Sequence, residues 1–415
     1  MISEPSGKAL QKGLKWALGG SWGGAALQLL LMIVFARMTN PAVVGHYALA
    51  TVVMNLLAPA AEAGLSQAVI QAKEINTRQI AALGWFNAII GGVLWMLIWT
   101  MGNRIALWMN QPEILPLLYI MSFSLWLTPF GAQYGGLMGR HLRFREGAQA
   151  EWISGVVGVL VSAAGLYLGW GATAMAWGFL WRNGIAAVLA WWLVRDVAII
   201  PWLRPARLRD ATSLIRLGLW DFTTRWAETG AQNVDKLAVA KGLGAAATAY
   251  YQQAYSLFLI PATRVGAVIT RVAFPLMARH QHNPDELRLF DVELKKKLWQ
   301  WMTPLYLTLL LGADQLVTLL YGPGWEGAAV ALRWLAAAGL LRTPALSFPV
   351  AARSLGHPEW QAGYLVVRTL LVNLLLITAL HYQPVLWAAA AAWAIGEVVS
   401  SQLLISWWYK RITAK

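Results

Sequence analysis

Five polar side chains inside one apolar stretch of this 415-residue chain are spaced for chemistry: Asp221, Arg225, Glu228, Gln232 and Asp235, at intervals of 4, 3, 4 and 3. At about 100° per residue these positions fall within roughly 80° of one another on a helix. One helix then carries a polar stripe along its length. Ionisable groups at membrane depth are costly and turn toward protein or a water-filled cavity. Two uses fit such a stripe. It is either a ladder of internal ion pairs, such as Asp221 with Arg225, or the lining of a hydrated path through which a charged solute moves.

The next apolar stretch adds Gln253, Arg264 and Arg271 on one face. Arg182 and Arg368 fall near the middle of two further stretches, and Arg333 and Arg342, nine residues apart, point to opposite faces of another. Acidic groups at comparable depth are Glu62, Glu397 and Asp314. On the stretch holding Glu62, Thr51, Asn55 and Ser66 share its face. The set comprises eight cations (Arg182, Arg225, Lys236, Arg264, Arg271, Arg333, Arg342, Arg368) and six anions (Glu62, Asp221, Glu228, Asp235, Asp314, Glu397). A cavity built from them is wet and slightly cationic. Guanidinium groups bind phosphate through a planar fork. Arg225, Arg264, Arg182, Arg368, Gln232 and Gln253 are therefore the candidates for binding a phosphate-bearing substrate. Asp235, Glu228, Glu62 and Glu397 are candidates for coupling transport to H⁺ or Na⁺, or for pairing permanently with the arginines.

Enzyme chemistry has little to work with. No glycine-rich phosphate loop sits between a strand and a helix. The six histidines (His46, His141, His280, His282, His357, His381) are scattered and close to loops, and cysteine is absent. No metal site and no cofactor is expected. A net charge of +14 would point to nucleic acid in a soluble protein, but here the basic residues cluster between apolar runs, and nucleic acid is not an expected partner.

The elements that must hold these side chains are membrane-spanning helices. Hydrophobic residues make up 58% of the chain and charged residues only 13%, about half the usual share in soluble domains. A hydrocarbon core of about 30 Å needs about 20 apolar residues per helix. Twelve runs qualify, near 14–38, 43–70, 79–102, 113–139, 150–169, 172–193, 216–241, 246–276, 298–320, 326–351, 360–381 and 385–409. With both termini inside, the inside segments hold 22 basic residues and the outside segments 3, a strong orientation signal. The 25 tryptophans include Trp191-Trp192, Trp299, Trp301 and Trp407-Trp408 at helix ends, as an interfacial belt requires. Residues 284–297 combine a helix start, the apolar stripe Leu287, Phe290 and Leu294, and the cations Lys295-Lys296-Lys297. That pattern predicts an amphipathic helix on the inner leaflet, and Lys8, Lys12 and Lys15 suggest another.

A basic, proline-containing segment separates six runs from six. The expected organisation is an N-terminal six-helix lobe (1–194), a basic cytoplasmic linker (195–215) and a C-terminal six-helix lobe (216–415). Ala36-Arg37, Gly45, Tyr47 and Ala50 line up with Ala240-Lys241, Ala249, Tyr251 and Ala254 at a constant offset of 204 residues. Repeats that cross the membrane in the same direction imply a pseudo-twofold axis along the membrane normal. The fold class expected is all-α integral membrane, about twelve helices in two such lobes.

Asn233-Val234-Asp235-Lys236, Gly242-Leu243-Gly244, Tyr251, Ala254-Tyr255, Pro261, Phe274-Pro275 and Tyr321-Gly322-Pro323-Gly324-Trp325 resemble polysaccharide exporters. These are the Wzx-type oligosaccharide flippases, in the polysaccharide transporter family of the multidrug/oligosaccharidyl-lipid/polysaccharide (MOP) superfamily. The resemblance implies translocation of undecaprenyl-diphosphate-linked oligosaccharide from the cytoplasmic to the outer leaflet of the bacterial inner membrane by alternating access. The product would feed assembly of O-antigen, capsule or exopolysaccharide. It also implies membrane lipids and a polysaccharide polymerase complex as partners, and it maps the family's aspartate onto Asp235. Two other readings stand beside it: a multidrug or cation exporter of the same superfamily, which the arginine surplus disfavours, and a membrane glycosyltransferase or polymerase, which the short outside loops disfavour.

Overall fold

The computed structural model describes residues 27, 29–72, 74–196, 206–279 and 284–413; these are helical apart from short connections, with no strand among them. The chain forms two compact units, Met1–Asn233 and Val234–Lys415. The boundary falls inside a helix, beyond the basic segment that the sequence reading used to divide the lobes.

The described part of the first unit begins with α1 (Leu29–Met38). The next helices are α2 (Pro41–Glu62), α3 (Leu65–Gln71), α4 (Thr77–Trp108), α5 (Leu115–Arg140), α6 (Phe144–Tyr167) and α7 (Ala172–Leu193). Their starts are written locally. Asn40 caps α2 by accepting the Val43 N–H at 3.0 Å, with Pro41 at the first helical position. Asn76 and Gln79 form a reciprocal capping box on α4, with Asn76 Oδ1 accepting the Gln79 N–H at 2.8 Å and Gln79 Oε1 accepting the Asn76 N–H at 3.0 Å. α2 and α3 are one apolar run broken where Ala63 (φ 45°) and Gly64 (φ 66°) both turn left-handed. Gly64 adopts that conformation freely and Ala63 does not.

Small residues set the helix spacing. A Cβ at Gly178 of α7 would lie 1.8 Å from Ser162 Oγ and 2.5 Å from the Gly158 carbonyl on α6, so these two helices meet nearly backbone to backbone. Polar staples add to this. Asn87 of α4 donates to the Pro129 carbonyl (2.9 Å) and to Gln133 (3.2 Å), and Gln133 donates back to the Ile80 carbonyl (2.7 Å). The end of α5 and the turn after it supply two arginines that cap neighbouring helix ends. Arg140, the last residue of α5, donates to the carbonyls of Val69 in α3 and of Ala72 just beyond it. Arg143 donates to the Leu193 carbonyl at 2.8 Å and pairs with Asp196. The Arg143 guanidinium holds the Asp196 carboxyl below the usual carboxylate range.

A 68-residue helical stretch, α8 (Thr212–Arg279), follows and is interrupted at Gly244 (φ 81°, ψ −174°). Only glycine adopts this geometry readily, and either half alone is long enough for the hydrocarbon core. The second unit continues with α9 (Pro284–Leu311), α10 (Ala313–Tyr321), α11 (Glu326–Arg342), α12 (Phe348–Ser354), α13 (Pro358–Tyr382) and α14 (Leu386–Thr413). α9 and α10 meet at Gly312 with a bend of 74°. α11 passes into α12 through the 3-10 turn Thr343–Ser347, which carries Pro344.

Seven helices among the described residues are long and apolar enough to cross a membrane, eight when the bent α9–α10 pair is counted as one span. The chain is a multi-pass, all-α membrane protein. The other four predicted runs have identifiable fates. The first lies largely outside the described residues. α7 is 22 residues long and rich in tryptophan, and the two halves of α8 carry the charges noted above.

One expectation is corrected. Residues 284–297 do not form a separate helix on the leaflet surface; they run without a break into the spanning helix α9. Their apolar stripe packs on protein: Leu287 is buried, and Phe290 and Leu294 lie against a core containing Phe348, Val350 and Trp408. Lys295 is buried as well, bonded to Asp291 at 2.6 Å. The reason lies in the buried Asp291. Its carboxylate also accepts from Ser347 Oγ (3.0 Å) and Trp408 Nε1 (3.2 Å), tying α9 to the 3-10 turn and to α14. The lysines at 8, 12 and 15 and residues 197–205 of the 195–215 linker lie outside the described residues.

Candidate functional site

In the first unit, α2, α5, α6 and α7 line a cavity of about 520 Å³. The space exists because much of its lining is small: Ala58, Gly131, Ala132, Gly135, Gly147, Ala150, Ala186, Ala187 and Ala190. Its chemistry comes from Asn55 and Glu62 on α2, Ser124 and Thr128 on α5, Glu151 and Ser154 on α6, and Arg182 and Asn183 on α7. Several donors are spent on their own helices. Ser124 donates to the Met121 carbonyl (2.7 Å), Ser154 to that of Glu151 (3.1 Å) and Asn183 to that of Phe179 (2.8 Å). Their oxygens keep acceptor capacity. Arg182 follows Gly178 by one turn, and Gly158 makes room for its stem: a Cβ there would sit 2.9 Å from Arg182 Cβ.

The other face of α2 is different. Ala60 and Ala63 line an apolar recess of about 300 Å³ with Ile90, Val93, Leu94, Leu219 and Phe222. Positions 58 and 62 lie on one side of the helix and 60 on the other, as 100° per residue dictates, and Ala63 joins the recess from the left-handed turn that ends α2.

The second unit holds a buried charge network. Glu397 of α14 is ion-paired with Arg342, the last residue of α11, and with Arg368 of α13. The Glu397 side chain is 1% exposed and the two arginine side chains 14% and 12%. Aromatic faces complete the shell. Arg342 lies 5.1 Å from the Phe258 ring centroid and Arg368 5.9 Å from that of Trp393. Asp235 is buried nearby in the same unit, accepting from Tyr251 Oη (3.0 Å) and from the Lys236 N–H (2.9 Å). The Lys236 ammonium lies 4.9 Å from the Tyr255 ring centroid. Arg333 is separate: it pairs with Asp314 where both side chains are exposed. Arg333 and Arg342 thus do occupy different surroundings, as their spacing requires.

Of the residues singled out from sequence, Arg182 and Glu62 meet at the first-unit cavity. Arg368 and Glu397 meet in the second-unit network, and Asp235 is close enough for Arg368 to act on it electrostatically. Gln253 is buried, with Oε1 lacking a hydrogen-bond partner among the described residues. The stripe on α8 is not uniform: Arg225 is half-buried, Glu228 and Gln232 are exposed and Asp235 is buried. The side chains of Asp221 and Arg264 lie outside the described set. Glu151 and Asn183 were not anticipated. Glu151 stands at the edge of its apolar run, where a charge reads as an end marker. Asn183 is uncharged and does not register as an intramembrane cost.

Residues 34–330 match the family described as polysaccharide biosynthesis protein, well over half of the chain. The chain belongs to that family. It is 25% identical over 337 residues to the lipopolysaccharide biosynthesis protein WzxC of Escherichia coli (strain K12), covering 80% of this chain and 67% of WzxC. Two solved structures share the fold. One is a multidrug resistance MATE family transporter of the MOP superfamily, with a TM-score of 0.75 at 18% identity over 94% of this chain and 95% of that one. The other is the lipid II flippase MurJ, with a TM-score of 0.76 at 14% identity over 94% and 86%. These matches agree with the Wzx-type resemblance carried by Asn233–Lys236 and Tyr321–Trp325. The polysaccharide biosynthesis match takes in the first-unit cavity and Asp235, and it ends before Arg342, Arg368 and Glu397.

Proposed function

We propose that this chain is a transporter, not an enzyme: a flippase that carries undecaprenyl-diphosphate-linked oligosaccharide from the cytoplasmic to the outer leaflet of the bacterial inner membrane by alternating access. Both termini are on the cytoplasmic side, and the six-helix halves 1–194 and 216–415 are its two moving parts, joined by the basic linker 195–215. The observation that carries this reading is a polar cavity bearing Arg182, Glu62 and Glu151, built among apolar helices in a polysaccharide biosynthesis family member. An amphiphile with a hydrophilic head needs such a polar space at membrane depth, while its hydrocarbon chain stays in lipid. The name of WzxC supports the substrate class.

In this reading Arg225 and Arg264, each in the inner half of its own limb of α8 on either side of Gly244, meet the diphosphate as the substrate enters from the cytoplasm. Gln232 and Gln253 contribute polar contacts, and Asp235, Glu228 or Glu62 carries the coupling H⁺ or Na⁺. Arg342, Arg368 and Glu397 brace the second unit by mutual pairing. Deleting the gene should abolish surface glycan and make lipid-linked oligosaccharide accumulate, with both defects reversed by re-expression. Arg225→Ala and Arg264→Ala, each checked for normal membrane abundance, should lower surface glycan. A deletion strain with normal surface glycan and no accumulated precursor rejects the flippase reading. Abundant variants with wild-type export reject the role of the two arginines.

A further inference from the structure

Leu219 and Phe222, on the first limb of α8, line the apolar recess together with residues of α2 and α4, and no polar side chain shares that lining. Ala60 and Ala63 leave the room. Arg225, half-buried, follows Phe222 by three positions on the same unbroken helix, so their Cβ atoms stand about 5–6 Å apart. An oily hollow and a guanidinium thus adjoin within one helical turn. Five N–H donors let the guanidinium serve a phosphate beside any protein partner it holds. Burial alone does not choose what fills the hollow, because lipid tails are as apolar as leucine and gain little by entering. The junction between head and chain does choose. In a glycerophospholipid, ester groups stand between phosphate and acyl chain, and this lining offers them no side-chain donor, so seating them costs free energy. In an isoprenoid diphosphate the hydrocarbon starts at the phosphate ester oxygen, so phosphate and chain can lie as close together as Arg225 and Phe222 do. The volume of about 300 Å³ is at the small end for ligand sites. It suits a short stretch of chain next to the head.

We propose that the recess between α2, α4 and α8 seats the phosphate-proximal units of a single-chain isoprenoid diphosphate, with Arg225 at the junction of chain and head. The source of that lipid rests on the flippase reading; its chemistry rests on the recess and its neighbour. The probe is farnesyl diphosphate carrying a diazirine on the isoprene next to the diphosphate. It is photolysed with the purified full chain in phospholipid nanodiscs, and the adducts are mapped by mass spectrometry. Adducts should concentrate on the segments of α2, α4 and α8 that line the recess. Unlabelled farnesyl diphosphate at ten times its Kd should cut them about tenfold, and dihexanoylphosphatidylglycerol should not. Ala60→Phe, which extends a ring into the hollow, should abolish them. Val93→Trp, on the same lining and 61% exposed in the native chain, does the same if the first variant does not yield monodisperse protein. Arg225→Gln should raise the Kd of the probe. Adducts scattered over the helices and untouched by competitor overturn the proposal, as do adducts that persist in a folded filling variant or an unchanged Kd in Arg225→Gln. Equal competition by the phosphatidylglycerol overturns it in favour of a phospholipid seat. Any of these results, where deleting the gene still makes lipid-linked oligosaccharide accumulate, removes this seat alone. Competable adducts confined to the recess, where deletion leaves export normal, support the seat and reject the transport reading.

Discussion

At the scale of single residues, burial separates charges that look alike in the sequence. Glu397 faces two guanidiniums inside the second unit, whereas Asp314 faces one at an exposed site. Removing one member of a buried set strands the others, which typically costs about 3–5 kcal/mol, and an exposed pair contributes about 0–1 kcal/mol. Glu397→Gln should therefore sharply lower the thermal unfolding midpoint of the purified protein, and Asp314→Asn should leave it nearly unchanged. Equal shifts would mean that the Arg342–Glu397–Arg368 cluster is not the brace described above. Sequence depth alone placed Glu397 and Arg368 in the membrane but not beside each other. They are 29 positions apart on different helices, and helical periodicity speaks only within one helix.

At the scale of helices, the spans were legible where the apolar run was long and uncharged, and the breaks were not. The left-handed pair Ala63–Gly64, the bend at Gly312 and the 3-10 turn Thr343–Ser347 all sit inside runs that are apolar on average, despite Glu62, Asp314 and Arg342 beside them. Hydropathy averages over them. The 284–297 segment misled for the opposite reason: its charges marked it as surface, yet Asp291 and Lys295 neutralise each other in the interior. Close helix contact is testable with glycines. In a helix, Gly→Ala normally gains about 0.8–1.0 kcal/mol. Gly135→Ala, which meets open space, should be neutral or stabilising. Gly178→Ala places its methyl onto Ser162 and the Gly158 carbonyl and should lower stability by about 1–3 kcal/mol. Thermal unfolding of the two variants should shift in opposite directions.

At the scale of the whole molecule, composition and basic-residue asymmetry were enough to read an all-α, multi-pass protein, and the orientation they predict can be checked directly. Because the chain has no cysteine, thiols introduced one at a time across 140–149 and 206–215 should react with an impermeant reagent only from the cytoplasmic side. Labelling from outside would reverse the topology. The cavity was less legible. Arg182 and Glu62 were marked by their cost at depth, but the lining that makes room for a ligand is alanine and glycine, which carry no signal of their own.

The two faces of α2 have an electrical meaning. Glu62 borders a polar hollow while Ala60, on the reverse side, and Ala63, at the turn that ends the helix, border a hydrocarbon-like recess. An α-helix is about 10–12 Å across, against about 30 Å for the lipid interior. Here, then, the insulation between polar and oily phases is a single helix thick, and its dielectric is a row of methyl groups.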